Sequence, residues 1–416
     1  METKSTRLRR TSAVQLFALL LACATAATPA TAARAKKSRG TRTQTGLDVL
    51  EAQKFAALRG KHVGLITNHT GVDSQGRSAI ELLVKAPGVQ VVAIFSPEHG
   101  VAGSADAKVT TFKDPTSGLP VYSLYGDTRR PTEEMLRGID TLVFDIQDAG
   151  VRFYTYTTTM AYCMEEAAKR GIVFYVLDRP NPLGGEIIEG PVLDRDKTSF
   201  VGYFPLPVRY GLTIGELAQL FNAENKIGCD LRVIAMRNWR RGAYYDNTGI
   251  RWIPPSPNLR TLKGAVLYPG LEILQNAGVS VGRGTETPFE EFGAPWMDGE
   301  RVAAELNARQ LPGVHFAAKQ FLPASGLFMG QRCGGVSVRV SDRSVLRSMR
   351  VGLEIAATLK KLYPRDFDPA RTLLLLGNEA TVTLLVQGTV PAEIVRSWSA
   401  DLAAFDATRR KYFLYK

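Results

Sequence analysis

The chain has 416 residues, of which 45% are hydrophobic and 22% are charged, a composition typical of globular proteins and not of disordered or fibrous ones. The formal net charge of +12 would suggest a nucleic-acid-binding protein if the charges were spread over the fold. Residues 1–42, however, contain nine Lys or Arg and a single acid, so eight of the twelve net positive charges lie at the N-terminus. The rest of the chain is nearly balanced, and we predict no nucleic-acid partner.

Residues 1–32 have the pattern of a secretory signal peptide. Three arginines precede the apolar run AVQLFALLLACATAA, and small-residue sites such as Ala30-Thr31-Ala32 follow it. The run is short for a transmembrane helix, so we predict no stable membrane insertion after the signal is removed. The pattern predicts a secreted, periplasmic protein, with lipid attachment at Cys23 as an alternative. Residues 33–45 are predicted to form a solvated linker.

Predicted strands and helices alternate from about residue 46. The predicted strands are 62–68, 91–95, 120–126, 140–148 and 172–182, and the predicted helices are 78–85, 132–138 and 157–171. Ser78 is a plausible N-cap, Pro131 precedes the second helix, and Gly171 ends the third. This alternation indicates an α/β fold with a doubly wound parallel sheet, which we assign to residues 46–265.

The chain from 183 to 300 is rich in Gly and Pro, a density that is uncommon in a compact domain unless its loops build a site. Within it we predict a helix at 213–225, with Thr213 and Glu216 at capping-box spacing, and a strand at 229–236. Residues 266–416 are predicted to be a smaller C-terminal α+β domain that contributes a Gly-rich loop to a cleft. Its predicted elements are helices at 299–309, 344–364 and 391–404 and a strand at 334–342. The three cysteines after the signal, Cys163, Cys229 and Cys333, are predicted to be buried thiols.

Polar and ionisable residues stand at the ends of four predicted strands. They are Asn68 and His69; Glu98 and His99; Asp145, Gln147 and Asp148, with Arg152 and Tyr154 shortly after; and Asp178, Arg179 and Asn181. The carboxyl ends of parallel strands meet at one edge of a sheet, where ligands of open α/β sheets bind. We therefore predict an active site at this edge.

The Gly-rich segment 280–296 adds further charged residues, among them Arg283 and Glu290. An arginine with flanking glycines can approach an anionic ligand closely and bind a carboxylate bidentately. Aromatic side chains such as Tyr268 could stack on a sugar face, or could instead fill the core between the domains.

Five motifs of this sequence carry a resemblance to a known family: FSPEHG, DIQDAGVRFYT, DRPNPLGG, PSPN and SVGRGTETPFEEFGAPW. Together they resemble the exo-β-N-acetylmuramidases, a family of glycoside hydrolases, from about residue 45 to the C-terminus. The resemblance implies a Rossmann-like domain beside a smaller C-terminal domain, with a cleft between them. It also implies release of N-acetylmuramic acid from the non-reducing ends of peptidoglycan fragments, so the expected partners are peptidoglycan-derived muramyl saccharides, without a cofactor.

Glycoside hydrolysis usually uses two carboxyl groups, one on each side of the scissile bond. We predict that Glu98 is the acid, because the apolar strand behind it would desolvate the carboxyl group and keep it protonated. Asp148 is our first candidate for the second carboxylate, and Asp145 and Glu290 are others. The substrate's acetamido group could instead act as the nucleophile, with Asp148 orienting it.

The remaining candidates are predicted to contact the sugar or to support Glu98. His99 and His69 could hydrogen-bond the sugar or tune Glu98, and Arg152, Arg179 and Arg283 could bind the lactyl carboxylate or anchor loops. The other predicted substrate contacts are Asn68, Asp145, Gln147, Tyr154, Asp178 and Asn181. We predict no metal site, because no HxH, HExxH or DxD spacing appears. Two other functions remain open: a periplasmic muramyl-sugar binding protein and a metal-dependent cell-wall esterase or deacetylase.

Overall fold

The computed structural model describes residues 42–104 and 110–416. This part of the chain forms one compact unit. The predicted signal peptide and Cys23 lie outside it. Within the described ranges, no helix is both long and apolar enough to cross a membrane.

The main sheet contains seven strands in the order β3-β4-β2-β1-β5-β6-β9. The strands between residues 62 and 234 are β1 His62–Thr67, β2 Gln90–Ser96, β3 Phe112–Lys113, β4 Pro120–Ser123, β5 Thr141–Asp145, β6 Val173–Leu177, β7 Glu189–Val192, β8 Pro207–Arg209 and β9 Leu231–Ile234. Every neighbouring pair in the sheet is parallel except β3 with β4, and β7 and β8 form a separate antiparallel ribbon. The predicted α/β class, a Rossmann-like doubly wound sheet, is confirmed.

The position of β1 in the strand order determines where the sheet can form a ligand-binding crevice. Strand β1 pairs with β2 on one side and with β5 on the other, so the chain winds outward in both directions from this point. Such a switch point leaves a crevice at the carboxyl ends of the strands. The four strand ends that carry polar residues belong to β2, β1, β5 and β6, which are adjacent in the sheet, as the sequence predicts.

Helices pack around this sheet and make up most of the C-terminal part. They are α1 Gly46–Ala52, α2 Ala79–Val84, α3 Tyr156–Arg170, α4 Ile214–Glu224, α5 Leu262–Leu271, α6 Gly299–Asn307, α7 Ser348–Leu362, α8 Leu373–Leu376, α9 Glu379–Gln387, α10 Pro391–Ser397 and α11 Ser399–Arg409. Three predicted helix signals are confirmed. Ser78 caps α2, Gly171 ends α3 in the left-handed conformation, and Thr213 and Glu216 form a capping box on α4.

The predicted helix at 132–138 is wrong, because this segment forms turns. Only six residues separate Pro131 from Gly138, and a segment so short seldom repays the cost of starting a helix. The predicted helix at 391–404 is present but divides into α10 and α11 at Trp398. The indole of Trp398 is buried and donates to Thr381 on α9.

The C-terminal part combines its helices with a three-stranded antiparallel sheet. Its strands are β10 Glu291–Ala294, β11 Val314–Phe321 and β12 Cys333–Val340, with β12 in the centre. One hydrophobic core runs continuously from the main sheet, through α5, into this region, and a second core covers the opposite face of the main sheet. The cysteines Cys163, Cys229 and Cys333 are free and buried, as predicted.

Candidate active site

A cavity of about 150 Å³ lies beside the carboxyl ends of the main-sheet strands. Glu98 and His99, which follow β2, form one wall, and residues 153–155, between β5 and α3, form another. Residues near α5 and in the Gly-rich loop complete the lining of the cavity, among them Tyr268, Glu272 and Arg283. The cavity therefore brings together segments that are far apart in the chain.

Glu98 presents its carboxyl group to this cavity while two hydroxyl groups hold it. Thr155 Oγ1 donates to Glu98 at 2.5 Å, and the phenol of Tyr125 forms a second hydrogen bond. Burial, together with this bond and the negative charge of Glu98, raises the pKa of Tyr125 to about 12, so the phenol remains a donor. Glu98 is only partly buried. The polar contacts therefore replace the apolar, desolvated setting that the sequence predicts.

The backbone explains how FSPEHG orients this carboxyl group. His99 and Gly100 both adopt left-handed conformations, with φ values of 69° and 72°. This conformation is uncommon for a residue other than Gly, although His is among the types that tolerate it better. Two such residues in succession turn the chain sharply after β2, directly behind Glu98.

Glu272 is the cavity residue that the sequence analysis missed. It lies directly after α5, and Arg283 Nη2 donates to its Oε1 at 2.6 Å. Its other carboxylate oxygen is buried and has no hydrogen-bond partner within the described part of the chain. Burial raises the pKa of Glu272, and the positive charge of Arg283 opposes this effect. One signal was available: a single acid interrupts the apolar run of the stretch GLEIL, where a charge is costly to bury.

Asp148 is buried and is not part of the cavity wall. One carboxylate oxygen accepts hydrogen bonds from the Tyr210 hydroxyl and, at 2.6 Å, from the Gly150 amide. The other oxygen has no hydrogen-bond partner in residues 42–104 and 110–416. Burial raises the pKa of Asp148 to about 6, and the hydrogen bonds only partly offset this effect.

The raised pKa of Asp148 predicts a specific dependence of stability on pH. The folded protein holds this proton more tightly than the unfolded chain, whose ordinary value is 3.8. The contribution of Asp148 to the free energy of unfolding should therefore fall as the pH rises from about 4 to about 6, by roughly 3 kcal/mol, and change little above that range. Asp148→Asn should remove this contribution, as measured by urea unfolding at intervals across the range. Asp401→Asn, at an exposed site on α11, should leave the slope as in the wild type, and an unchanged slope in Asp148→Asn would contradict the prediction.

Asp145 and Arg179 bind each other instead of lining the cavity. Arg179 donates from Nε and Nη2 to the two oxygens of Asp145, at 2.6 and 2.9 Å, and both side chains are buried. Arg179 also donates to the carbonyl of Val72. This pair joins the ends of β5 and β6 to the loop after β1, which is one of the two roles that the sequence left open for Arg179.

Asp178 and the three predicted amide contacts also support loops. Asp178 accepts from Gly215 at the start of α4, and burial raises its pKa to about 7. Asn68, Gln147 and Asn181 are buried, and each hydrogen-bonds the loop backbone at the sheet edge. These residues hold the loops at the carboxyl edge of the sheet and do not line the cavity.

Arg152 lies away from the cavity and anchors loops, the second of the two roles that the sequence left open for it. Its buried guanidinium donates to four backbone carbonyls, those of Pro191, Leu206, Leu375 and Leu376, at 2.7 to 3.0 Å. It therefore joins the β7–β8 ribbon to α8.

Glu290 also lies outside the cavity wall, and its carboxylate accepts from Thr261 Oγ1 at 2.5 Å. His69 is largely buried, its Nε2 lies 2.8 Å from the carbonyl of Pro254, and Gly103 packs directly on its ring. Burial lowers the pKa of His69, so this ring is neutral at neutral pH. Of the predicted site residues, Glu98, His99, Tyr154 and Arg283 line the cavity together.

The described residues contain no group of three or more His, Cys, Asp or Glu that could hold a metal ion. Instead, two carboxyl groups, an arginine and several aromatic rings face one cavity at the carboxyl edge of an α/β sheet. A pair of carboxyl groups beside one binding cavity is the usual catalytic arrangement of a glycoside hydrolase.

Comparison with known proteins defines the family. Residues 63–263 match the family model of the exo-β-N-acetylmuramidase NamZ N-terminal domain, and residues 266–415 match that of its C-terminal domain. The chain belongs to this family. It is 43% identical over 396 residues to the peptidoglycan β-N-acetylmuramidase NamZ of Bacillus subtilis (strain 168), covering 94% of this chain and 96% of that protein.

Two crystal structures of DUF1343 family proteins from Bacteroides fragilis NCTC 9343 share the fold. One is 41% identical with a TM-score of 0.84, and the other is 31% identical with a TM-score of 0.75. In both cases the match covers 90% of this chain and 99% of the other. The resemblance seen in the sequence motifs is confirmed.

Proposed function

We propose that this protein is a secreted, periplasmic exo-β-N-acetylmuramidase that removes terminal N-acetylmuramic acid from the non-reducing ends of peptidoglycan fragments. The observation that carries the proposal is the position of Glu98, in a chain of this family, at a cavity on the carboxyl edge of the sheet. The signal-peptide pattern of residues 1–32, which lie outside the described ranges, supports export.

Glu98 is placed to act as the general acid. Its partial exposure lets a substrate reach the carboxyl group, and the bonds from Thr155 and Tyr125 restrict its orientation. In the reaction, the bond between the sugar's anomeric carbon and the leaving oxygen breaks, and Glu98 gives its proton to that oxygen. A hydroxyl group that already donates to one carboxyl oxygen leaves the other oxygen to carry the proton.

Arg283 is the best-placed residue for recognising muramic acid. The lactyl carboxylate distinguishes this sugar from glucosamine, and a guanidinium group binds carboxylates in a planar, bidentate geometry. Arg283 lines the same cavity as Glu98 and contacts Phe289 and Glu272. Tyr154 and Tyr268 add aromatic surface on which a sugar ring can lie.

The proposed function is tested with a chromogenic glycoside of N-acetylmuramic acid, and with the matching glycoside of N-acetylglucosamine. We expect release of the aglycone from the muramyl substrate, unaffected by a chelator, and at least tenfold slower release from the glucosamine substrate, which lacks the lactyl group. Binding of muramyl sugars without release would indicate a binding protein. Release of acyl groups that stops with the chelator would indicate a metal-dependent esterase or deacetylase, and either result would overturn the proposal.

A further inference from the structure

The least expected feature of the cavity is the environment of Glu272. A buried carboxylate is costly unless both of its oxygens have partners. Arg283 binds one oxygen, whereas the other is buried, has no hydrogen-bond partner among the described residues and belongs to a residue of the cavity wall. Buried polar atoms without partners are rare in folded proteins, and a ligand or a reacting water often supplies what is missing.

Glu272 is also the carboxyl group best placed to work with Glu98. The two residues line the same cavity, and their carboxyl groups interact electrostatically. The three carboxyl groups favoured by the sequence have other surroundings. Asp145 is bound on both oxygens by Arg179, Asp148 lies outside the cavity wall beside Tyr210, and Glu290 is held by Thr261 outside it.

We propose that Glu272 is the second carboxylate of the hydrolysis and acts as the general base. The inference depends on the proposed function of the chain. A water molecule held by the free oxygen of Glu272 attacks the anomeric carbon and gives one proton to Glu272. At the same time the bond to the leaving oxygen breaks, and Glu98 protonates that oxygen. The products are the free sugar and the alcohol, and proton exchange with solvent restores Glu98 to its acid form and Glu272 to its carboxylate.

The charged and titratable groups around Glu272 fit this role. Arg283 stabilises the ionised form that a base needs, whereas burial strengthens its affinity for a proton. A base whose pKa is closer to neutral than that of an exposed carboxylate transfers protons more efficiently near pH 7. The other titratable groups of the cavity are Glu98, His99, Tyr154 and Tyr268, and burial raises the pKa of Tyr268 so far that it stays neutral.

The first test compares Glu272→Gln with Glu300→Gln, a matched change at an exposed glutamate of α6 outside the cavity. On the muramyl substrate, we expect Glu272→Gln to lower kcat about 10²- to 10³-fold with little change in KM, and to remove the acidic limb of the pH profile. Glu300→Gln should keep a rate within threefold of the wild type. Azide, which attacks without a base, should restore turnover to Glu272→Ala and give the α-glycosyl azide.

The second test uses the wild-type enzyme and does not depend on the folding of a variant. Direct attack by water inverts the anomeric centre, so NMR of the first turnovers should show the α-anomer of N-acetylmuramic acid. A β-anomer as first product, or a Glu272→Gln variant with the wild-type rate, would overturn the inference. Failure of the proposed function would look different, because the wild-type enzyme itself would then release no aglycone.

Discussion

Replacing Glu98 with Gln is expected to lower kcat on a muramyl glycoside by roughly 10³-fold while leaving substrate affinity nearly unchanged. The amide has the size of the acid and can still accept the hydrogen bond from Thr155, so the cavity should keep its shape. It has no proton to give to the leaving oxygen, so the loss belongs to the transition state and not to binding. Steady-state kinetics, with calorimetric binding of N-acetylmuramic acid, separate the two effects.

The leaving group provides an internal check on the role of Glu98. An aryl leaving group of low pKa needs little protonation, so Glu98→Gln should lose much less activity on a dinitrophenyl glycoside than on a natural disaccharide. Glu134→Gln, at an exposed site outside the cavity, should behave as the wild type on both substrates. An equal loss on the two substrates would show that Glu98 does not act as the acid.

Replacing Arg152 with Ala is expected to lower the free energy of unfolding by on the order of 4 kcal/mol. The guanidinium donates to four carbonyls on three separate segments of chain, and the alanine side chain would remove these donors from the interior. The lost volume of a fully buried arginine adds to the cost. Urea unfolding followed by circular dichroism gives the change, provided that the m-value stays constant.

Arg365→Ala is the matched control, because Arg365 is exposed and its loss should change stability by less than 0.5 kcal/mol. The role of Arg152 is also distinct from catalysis. Any folded fraction of Arg152→Ala should therefore keep the wild-type KM, whereas a raised KM in fully folded protein would support the substrate contact that the sequence predicted.

Much of the fold was predictable because local signals and the hydrophobic pattern agree. Ser78, Gly171 and the pair Thr213 and Glu216 act through neighbours within four residues along the chain, so their effects can be read without tertiary information. The segment after Pro131 shows the limit of such signals. A helix-like pattern of seven residues is too short to decide its own conformation, and the surrounding packing settles it as turns.

The position of the site followed from sequence because strand order and direction constrain it. Once four strands are parallel and adjacent, their carboxyl ends share an edge, and Glu98 lies there. The roles of single side chains did not follow. Arg152 and Arg179 have the charge of substrate-binding residues, but their partners are the protein's own carbonyls and a carboxylate from β5.

By itself, the sequence determined the alternation of strands and helices, the family, and the edge of the sheet at which Glu98 lies. Only the tertiary structure decided which carboxyl groups share a cavity, because Glu98 and Glu272 are far apart in the chain and meet only when α5 and the Gly-rich loop pack beside β2. A charged residue's function depends on its partners and its exposure to water. Those are properties of the folded chain, since the same glutamate can cap a helix, pair with an arginine or face a substrate.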